Sequence, residues 1–204
     1  MSNNTLSDDT LSVLDRAFYN RPALAVARDL LGCRLVRRVD GQRLAGLITE
    51  TEAYQGEEDL GCHASAGKTP RTEVMYGAPG HAYVYFTYGM HWLLNAVTSP
   101  EGMPAAVLIR AIQPVEGHGI MAENRPYQAL KKGWTDGPAK LTQALNINGG
   151  CNKIDLCSQA GSLWIEAGQR VPDTKIQKTG RVGLNSVPEP WRSIPWRFVV
   201  EGAL

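Results

Sequence analysis

The sequence has no long apolar run, which argues against a membrane-spanning protein. A membrane-spanning helix needs about 20 consecutive apolar residues, and no stretch of this chain approaches that length. Residues 1–9 are polar and acidic, unlike a signal peptide with its basic start and apolar core. We therefore expect an intracellular protein with no membrane partner, in the cytoplasm or nucleoid of a bacterium or in the nucleus of a eukaryote.

Cysteine pairs at short spacing are also missing. The chain has four cysteines, and none of them forms a CxxC pair with another. Structural zinc sites usually show ligands in such pairs, so a zinc site around the adjacent Cys62 and His63 is the weaker of two interpretations. Buried, reduced thiols are the preferred one, and we expect no metal and no cofactor.

A strong excess of either charge is absent, since the formal net charge is +1. Strong nucleic-acid binders often show a basic excess, so the total charge does not indicate one. The distribution is uneven, because residues 50–59 carry five acids and no base, whereas residues 175–197 carry five bases against one acid. This pattern fits either a basic face for phosphates beside an acidic catalytic segment or a mixed solvated surface.

No internal repeat, low-complexity tract or linker divides the sequence, so a single domain is expected over residues 16–204. A chain of 204 residues with 43% hydrophobic residues can form an ordinary core, burying roughly 70% of its unfolded surface. Residues 1–15 are expected to form a disordered tail because of their polar composition. Runs of strands with a few interspersed helices predict an α+β fold. We expect a curved, largely antiparallel sheet flanked by those helices.

Local patterns predict most of the elements. A proline in the first turn and a glycine at the end predict a helix over 22–31. The turn signal Asp40-Gly41 predicts a hairpin between strands over 34–39 and 43–52. Further strands are predicted over 82–87, 92–98, 105–112, 163–167 and 197–201. A helix is predicted over 139–145. A short helix is predicted to begin at Thr69, its N-cap, and to end before Gly77.

The most informative stretch is Thr49-Glu50-Thr51-Glu52-Ala53-Tyr54. Alternate side chains of a strand share a face, so Glu50, Glu52 and Tyr54 are predicted to lie together. Two neighbouring carboxylates raise one pKa, which suits acid–base chemistry. Solvated carboxylates are the more common outcome of this pattern, and the pattern alone does not choose between the two.

A tyrosine-rich segment follows about thirty residues later. Tyr83 and Tyr85 are predicted to share one face of a strand, where buried tyrosines most often serve as core. Tyr88-Gly89-Met90 is typical of a turn that exposes an aromatic ring, the shape of a wedge between bases. His63 lies in a loop rich in small residues, and Asn95 and Arg110 interrupt apolar runs. Polar groups in such places are structural hydrogen-bonding residues or site residues.

Taken in order, these motifs resemble the alkyladenine (3-methyladenine) DNA glycosylase family, the monofunctional base-excision enzymes that remove alkylated and deaminated purines. The resemblance covers roughly residues 16–202 with spacing close to that of the family. Its motifs are Leu30-Leu31-Gly32, Thr49-Glu50-Thr51-Glu52-Ala53-Tyr54, Cys62-His63, Thr69-Pro70-Arg71, Tyr83-Val84-Tyr85, Tyr88-Gly89-Met90, Asn95, Leu108-Ile109-Arg110-Ala111, Gly137-Pro138-Ala139-Lys140-Leu141, Arg181-Val182-Gly183 and Trp196-Arg197-Phe198.

The resemblance implies a role for each matching site residue. Glu52 would be the general base that activates the attacking water, held with the help of Arg110 and the backbone carbonyl of Val182. Tyr88 would fill the gap left in the duplex, with Met90 beside it. The base pocket would comprise Tyr54 and Tyr85 stacking on the extruded base, His63 at its edge, and Asn95 at the floor to reject the 2-amino group of guanine.

Three functions are therefore compared. The first is a DNA repair glycosylase that acts as a monomer on double-stranded DNA containing damaged purines. The second is a small-molecule purine nucleosidase that uses Glu50 and Glu52 as a pair, in which Tyr88 would have no task. The third is a non-catalytic nucleic-acid-binding module of the same fold, in which Glu52 and Arg110 would have none.

Overall fold

The computed structural model describes residues 11–126, 131–202 and 204. Its helices are α1 (Arg16–Tyr19), α2 (Ala23–Asp29), α3 (His118–Glu123) and α4 (Pro138–Ala144). Its strands are β1 (Arg34–Val39), β2 (Gln42–Gln55), β3 (Ala82–Thr87), β4 (His91–Thr98), β5 (Ala105–Glu116), β6 (Leu163–Glu166), β7 (Ile176–Thr179) and β8 (Arg197–Val200). Short 3-10 turns occupy His63–Ala66, Glu73–Tyr76, Gly149–Cys151 and Asp173–Lys175. Among these described helices, none has the length and apolarity to cross a membrane.

Within the described residues, the eight strands form one antiparallel sheet that curls into a half-barrel. Its main path runs β3-β4-β5-β2-β1-β6, and β8 pairs with both β2 and β7. The long strand β2 pairs with β5 along most of its length, and register shifts near Ala45 and around Glu50 interrupt that pairing. Such irregularities bend a strand and increase its twist. The predicted α+β fold with a curved antiparallel sheet is confirmed.

The main hydrophobic core lies between the helices and one face of the sheet. Helix α2 buries Ala23, Val26 and Ala27 against it, and helix α4 packs on β4 and β5. Thr51 ties α2 to the sheet, since its Oγ1 donates to the carbonyl of Ala27 at 2.8 Å. The opposite face of β3 and β4 carries a smaller apolar cluster, which includes Cys62, Met75, Tyr83 and Val97. The candidate site opens on that second face.

Only the last residues of the predicted N-terminal tail are described. Residues 1–10 lie outside the described part of the chain. Val13, however, forms an antiparallel bridge with Glu166, and the amide of Leu14 donates to the carbonyl of Ile165 at 2.9 Å. Asp15 caps α1 by accepting from the amide of Phe18 at 2.9 Å. Residues 13–15 therefore have partners in the fold that local composition does not reveal, and the expected disorder of the N-terminal tail stays a prediction.

Candidate active site

A cavity of about 320 Å³ opens on the second face of the sheet, where β2, β3, β4 and β5 meet the Val182 turn. Its wall combines aromatic, polar and aliphatic side chains. Seven of the predicted site residues line it: Tyr54, His63, Tyr85, Tyr88, Asn95, Arg110 and Val182. The other two lie outside the wall, since Glu52 is fully buried behind it and Met90 is exposed in the turn that carries Tyr88.

Glu52 is held behind the wall by three groups. The amide of Val182 donates to Oε1 at 2.7 Å, and the hydroxyl of Tyr54 donates to Oε2 at 2.8 Å. Arg110 Nη1 lies 3.3 Å from Oε2. The contact from Val182 comes from its amide, so the role expected of its carbonyl stays a prediction. These donors fix the carboxylate in one orientation towards the cavity wall.

The environment of Glu52 changes its acidity. Burial raises the pKa of this carboxyl, and the opposing effects of Arg110, the Val182 amide and the Tyr54 hydroxyl do not cancel that rise. The pKa of Tyr54 is raised well above its ordinary value, first by burial and then by Glu52. Tyr54 therefore remains a hydrogen-bond donor, while Glu52 takes up a proton more readily than an exposed glutamate would.

Glu50 shares a face with Glu52, as predicted, and has a different set of contacts. Its Oε1 accepts from Arg110 Nε and from Arg197 Nε, each at 2.6 Å. Arg110 thus bridges the two carboxylates. With two guanidinium groups bound to it, Glu50 holds Arg110 in place and is not available as a second acid or base.

One side of the cavity is built from aromatic rings that contact one another edge-on or at a tilt. The ring centroids of His63 and Tyr85 lie 4.6 Å apart at 75°, and those of Tyr83 and Tyr85 lie 5.2 Å apart. His63 Nδ1 is 2.9 Å from the Tyr83 hydroxyl. Burial and the nearby Arg71 lower the pKa of His63 to about 4. At neutral pH its imidazole is uncharged and presents both a donor and an acceptor.

Asn95 and the turn between β3 and β4 complete the cavity. Asn95 is 4% exposed, and its Nδ2 donates to the carbonyl of Tyr83 at 3.1 Å. Tyr88 is 82% exposed. It adopts a left-handed backbone with φ of 52°, and Gly89 follows with φ of 67°. Positive φ at both central residues is the pattern of a type I′ hairpin turn, in which asparagine and glycine are the usual residues and a tyrosine is uncommon.

Comparison with known proteins assigns the chain to a family. The sequence model of methylpurine-DNA glycosylase matches residues 17–204. The chain belongs to the methylpurine-DNA glycosylase family. A relative from Methanocella arvoryzae is 49% identical over 188 residues, which cover 92% of each chain. Relatives from Desulfitobacterium hafniense and Carboxydothermus hydrogenoformans are each 47% identical, covering 92% and 93% of this chain and 95% of their own. Each is named "Putative 3-methyladenine DNA glycosylase".

In this member of the methylpurine-DNA glycosylase family, sequence reasoning missed three residues of the site. Tyr83 lines the cavity and contacts His63. The sequence could have identified it, because Tyr83 and Tyr85 were predicted to share one face of a strand. Asp59 and Arg181 form a buried ion pair behind Tyr54. Arg181 stands in a family motif, whereas Asp59 looked like one acid among five.

The cysteines of this family member carry no sign of a metal site. Within the part of the chain that the structure describes, no three histidine, cysteine or acidic side chains come together as metal ligands. Cys62 is buried next to His63, and burial raises the pKa of its thiol to about 12. Such a thiol stays protonated at neutral pH, which makes it a poor ligand and a poor nucleophile.

Proposed function

We propose that the protein is a monofunctional DNA glycosylase that removes alkylated or deaminated purines from duplex DNA and leaves an abasic site without cutting the strand. The observation that carries this proposal is the position of Glu52, buried and oriented behind an aromatic cavity. The family membership and the names of the relatives support glycosylase activity on 3-methyladenine. A DNA substrate also favours a location where the cell keeps its DNA.

The first step is extrusion of the damaged base, since a base inside the stack is unreachable. Flipping costs a few kcal/mol, and the cost is smaller for damaged or mispaired bases. Tyr88 projects from the turn at the mouth of the cavity. Its ring enters the gap in the duplex and replaces part of the lost stacking, with Met90 beside it. An exposed apolar wedge of this kind is used by proteins that unstack base steps.

The cavity then receives the extruded base. Tyr54 and Tyr85 stack on its faces, and each aromatic contact of this type contributes roughly 1–3 kcal/mol. Electron-rich rings also attract cationic purines. His63 meets the edge of the base through Nε2, since Nδ1 contacts the Tyr83 hydroxyl, and it does so as a neutral imidazole because its pKa is lowered to about 4. Asn95 at the floor rejects the 2-amino group of guanine by close contact.

Glu52 performs the bond-breaking step with a water molecule. Its carboxylate takes a proton from the water as the water oxygen forms a bond to the sugar carbon. The bond between that carbon and the purine nitrogen breaks, and its electron pair leaves with the base. The carboxylate also stabilises positive charge that develops on the sugar. Arg110 and Val182 both contact Glu52 and line the cavity, so the water would be bound between them and the base.

The chemistry of the wall supports hydrolysis over strand cleavage. Strand-cleaving glycosylases need an amine that attacks the sugar carbon, and no lysine lines the cavity in the described part of the chain. A cationic alkylpurine is already a good leaving group. A neutral purine such as hypoxanthine needs protonation as it leaves.

The decisive experiment uses a duplex that contains one 3-methyladenine or hypoxanthine. The wild-type protein should release the free base and leave an intact strand with an abasic site, which breaks only after alkali treatment. The Glu52→Gln variant should bind the duplex and release almost nothing. Full activity of Glu52→Gln would refute the mechanism. Strand breaks without alkali would refute the monofunctional assignment.

The same assay separates the two alternative functions. A nucleosidase would hydrolyse free deoxyinosine as fast as it hydrolyses hypoxanthine in a duplex. The contacts of Glu50 with Arg110 and Arg197 weigh against its use in a carboxylate pair. A non-catalytic binding module would bind the damaged duplex and release no base, even with Glu52 intact.

A further inference from the structure

A buried ion pair lies directly behind the wall of the cavity. The side chains of Asp59 and Arg181 have no exposed surface. Arg181 Nη1 and Nη2 donate to Asp59 Oδ2 and Oδ1 at 2.6 and 2.7 Å, which is the bidentate geometry of a strong pair. Neither residue lines the cavity. The pair therefore acts on a bound base only through the side chains in front of it.

The side chain in front of the pair is Tyr54. The guanidinium carbon of Arg181 lies over its ring, 4.7 Å from the centroid. Tyr54 itself lines the cavity, so its ring separates Arg181 from the space that a base would occupy. The quadrupole of an aromatic ring attracts cations to both of its faces. A cation on one face of Tyr54 therefore competes electrostatically with a cationic base on the other face. A bare guanidinium in this position would oppose the stacking of a cationic purine.

The surroundings of Asp59 hold its carboxylate against Arg181. The amides of Gln55 and Gly61 donate to it at 3.2 and 2.9 Å. Gly61 also provides the space, because a Cβ at this position would lie 2.8 Å from Arg181 Nη2. A buried ion pair adds little to stability compared with apolar residues of similar volume. We therefore look for the role of the Asp59–Arg181 pair in its electrostatic effect on the ring of Tyr54, which faces the cavity.

We propose that Asp59 determines specificity for cationic purines: it neutralises Arg181 and so leaves the cavity face of Tyr54 free to attract a positively charged base. This inference rests on the proposed glycosylase function. Without Asp59, the charge of Arg181 would act through the ring on 3-methyladenine, which is a cation in DNA. Hypoxanthine carries no net charge and would be affected much less.

The experiment measures the ratio of two excision rates in the same preparation. Single-turnover rates with saturating enzyme are determined for 3-methyladenine and for hypoxanthine in otherwise identical duplexes at one neutral pH. In Asp59→Asn, the ratio should fall roughly tenfold, since a unit charge one ring away from a cationic base acts at an effective dielectric near 20. Loss of folded protein, or a change in Glu52, lowers both rates and leaves the ratio unchanged.

Removing both charges is the control. In Asp59→Asn/Arg181→Gln no positive charge remains behind Tyr54, so the ratio should return to within about twofold of wild type. If Asp59→Asn does not fold, Asp59→Ser replaces it, because serine leaves room for a water molecule beside Arg181. The ratio of the 3-methyladenine rate to the hypoxanthine rate should also fall in Asp59→Ser. An unchanged ratio in these single variants, or a double variant with a ratio as low as theirs, would overturn the inference.

The outcomes distinguish this inference from the function on which it rests. If the wild-type protein releases neither base, the proposed glycosylase function fails. If it releases both and the Asp59 variants lose both rates equally, the glycosylase function stands and Asp59 is a structural residue only.

Discussion

At the scale of single residues, Glu52 carries an expectation about pH. Burial raises its pKa, and a general base works only while it is ionised. The excision rate of 3-methyladenine should therefore fall as the pH drops through a value above the ordinary glutamate pKa of about 4.3. His63, with its pKa lowered to about 4, stays neutral over most of that range. A rate profile from pH 4 to 8 measures the midpoint, and a midpoint at or below the ordinary value would contradict the expectation.

The same pKa shift has a consequence for stability, with a definite sign. A carboxyl whose folded-state pKa is raised favours the folded state below its unfolded pKa, and this contribution is lost as the pH rises through the folded value. Glu52→Gln removes the ionisable group. Its melting temperature relative to wild type should therefore be higher at pH 8 than at pH 4, and thermal unfolding at the two pH values checks the sign independently of activity.

Asn95 supports a second prediction at this scale. Asn95→Ser shortens the side chain at the cavity floor, so the variant should release undamaged guanine from duplex DNA, which the wild type leaves in place. Asn124→Ser is a matched control, because Asn124 Nδ2 also donates to a backbone carbonyl, that of Ala144, at 2.8 Å. Asn124 lies outside the cavity wall. Each variant loses one hydrogen bond, so its free energy of unfolding should fall by about 1 kcal/mol. Only Asn95→Ser should release guanine, and guanine release by both variants would argue against a specific role for Asn95.

Residue roles could be predicted only partly from the sequence. Spacing placed Glu50 and Glu52 on one face, and the family motifs singled out Glu52. The structure shows how the two carboxylates differ: Glu50 is bound by two guanidinium groups, and Glu52 is not. Those guanidinium groups come from Arg110 and Arg197, about 60 and 147 residues away in the chain. No local pattern contains that information.

At the scale of elements, the turn between β3 and β4 makes the clearest prediction. Tyr88→Ala removes an exposed ring held in a left-handed conformation. Affinity for a duplex with a lesion should fall roughly tenfold, corresponding to the loss of one aromatic stacking contact, while affinity for undamaged duplex should change less than twofold. Met103→Ala, which removes another exposed apolar side chain, should change neither. Equal losses for both duplexes would make Tyr88 a simple surface contact.

Elements with strong local signals were predicted well, and those that depend on partners were not. The bounds of β1 and β3 match the prediction, and Asp40 and Gly41 adopt the positive φ angles that the hairpin signal implied. Strand β7 was missed because three of its four residues are polar and none is fully buried, so it has no apolar run to signal a strand. Helices α1 and α3 were missed as well. The register shifts between β2 and β5 depend on which residues of β5 lie opposite each residue of β2. The alternation of side chains along β2 alone could not reveal them.

At the scale of the whole molecule, two ion pairs join the two charged stretches of the sequence. Arg181 binds Asp59, and Arg197 binds Glu50. Two of the five acids in residues 50–59 are therefore paired with bases from residues 175–197, and those two bases are unavailable to phosphates. The sequence left open a basic face or a mixed surface, and these pairs hold part of the basic charge against the acids beside the cavity.

The affinity of the protein for DNA should fall as the salt concentration rises, and Arg71 should account for part of that dependence. Arg71 is exposed, and its guanidinium lies over Tyr85, 5.1 Å from the ring centroid, at the edge of the cavity. We expect a phosphate of the bound DNA strand to contact Arg71, because Arg71 is an exposed cation beside an aromatic ring of the cavity. Arg71→Gln should therefore reduce the slope of log affinity against log salt by about one, because each neutralised phosphate contributes about 0.9 to that slope.

Arg170→Gln provides the matched comparison for Arg71→Gln. Arg170 is equally exposed but follows β6, at the opposite end of the strand order from β3 and its Tyr85. The two variants have the same net charge, so a general electrostatic effect would change both slopes alike. Only the loss of a phosphate contact near the cavity would change the slope of Arg71→Gln and leave that of Arg170→Gln at the wild-type value. Fluorescence anisotropy of a labelled duplex between 50 and 200 mM salt, roughly the range over which such contacts dominate, measures both slopes.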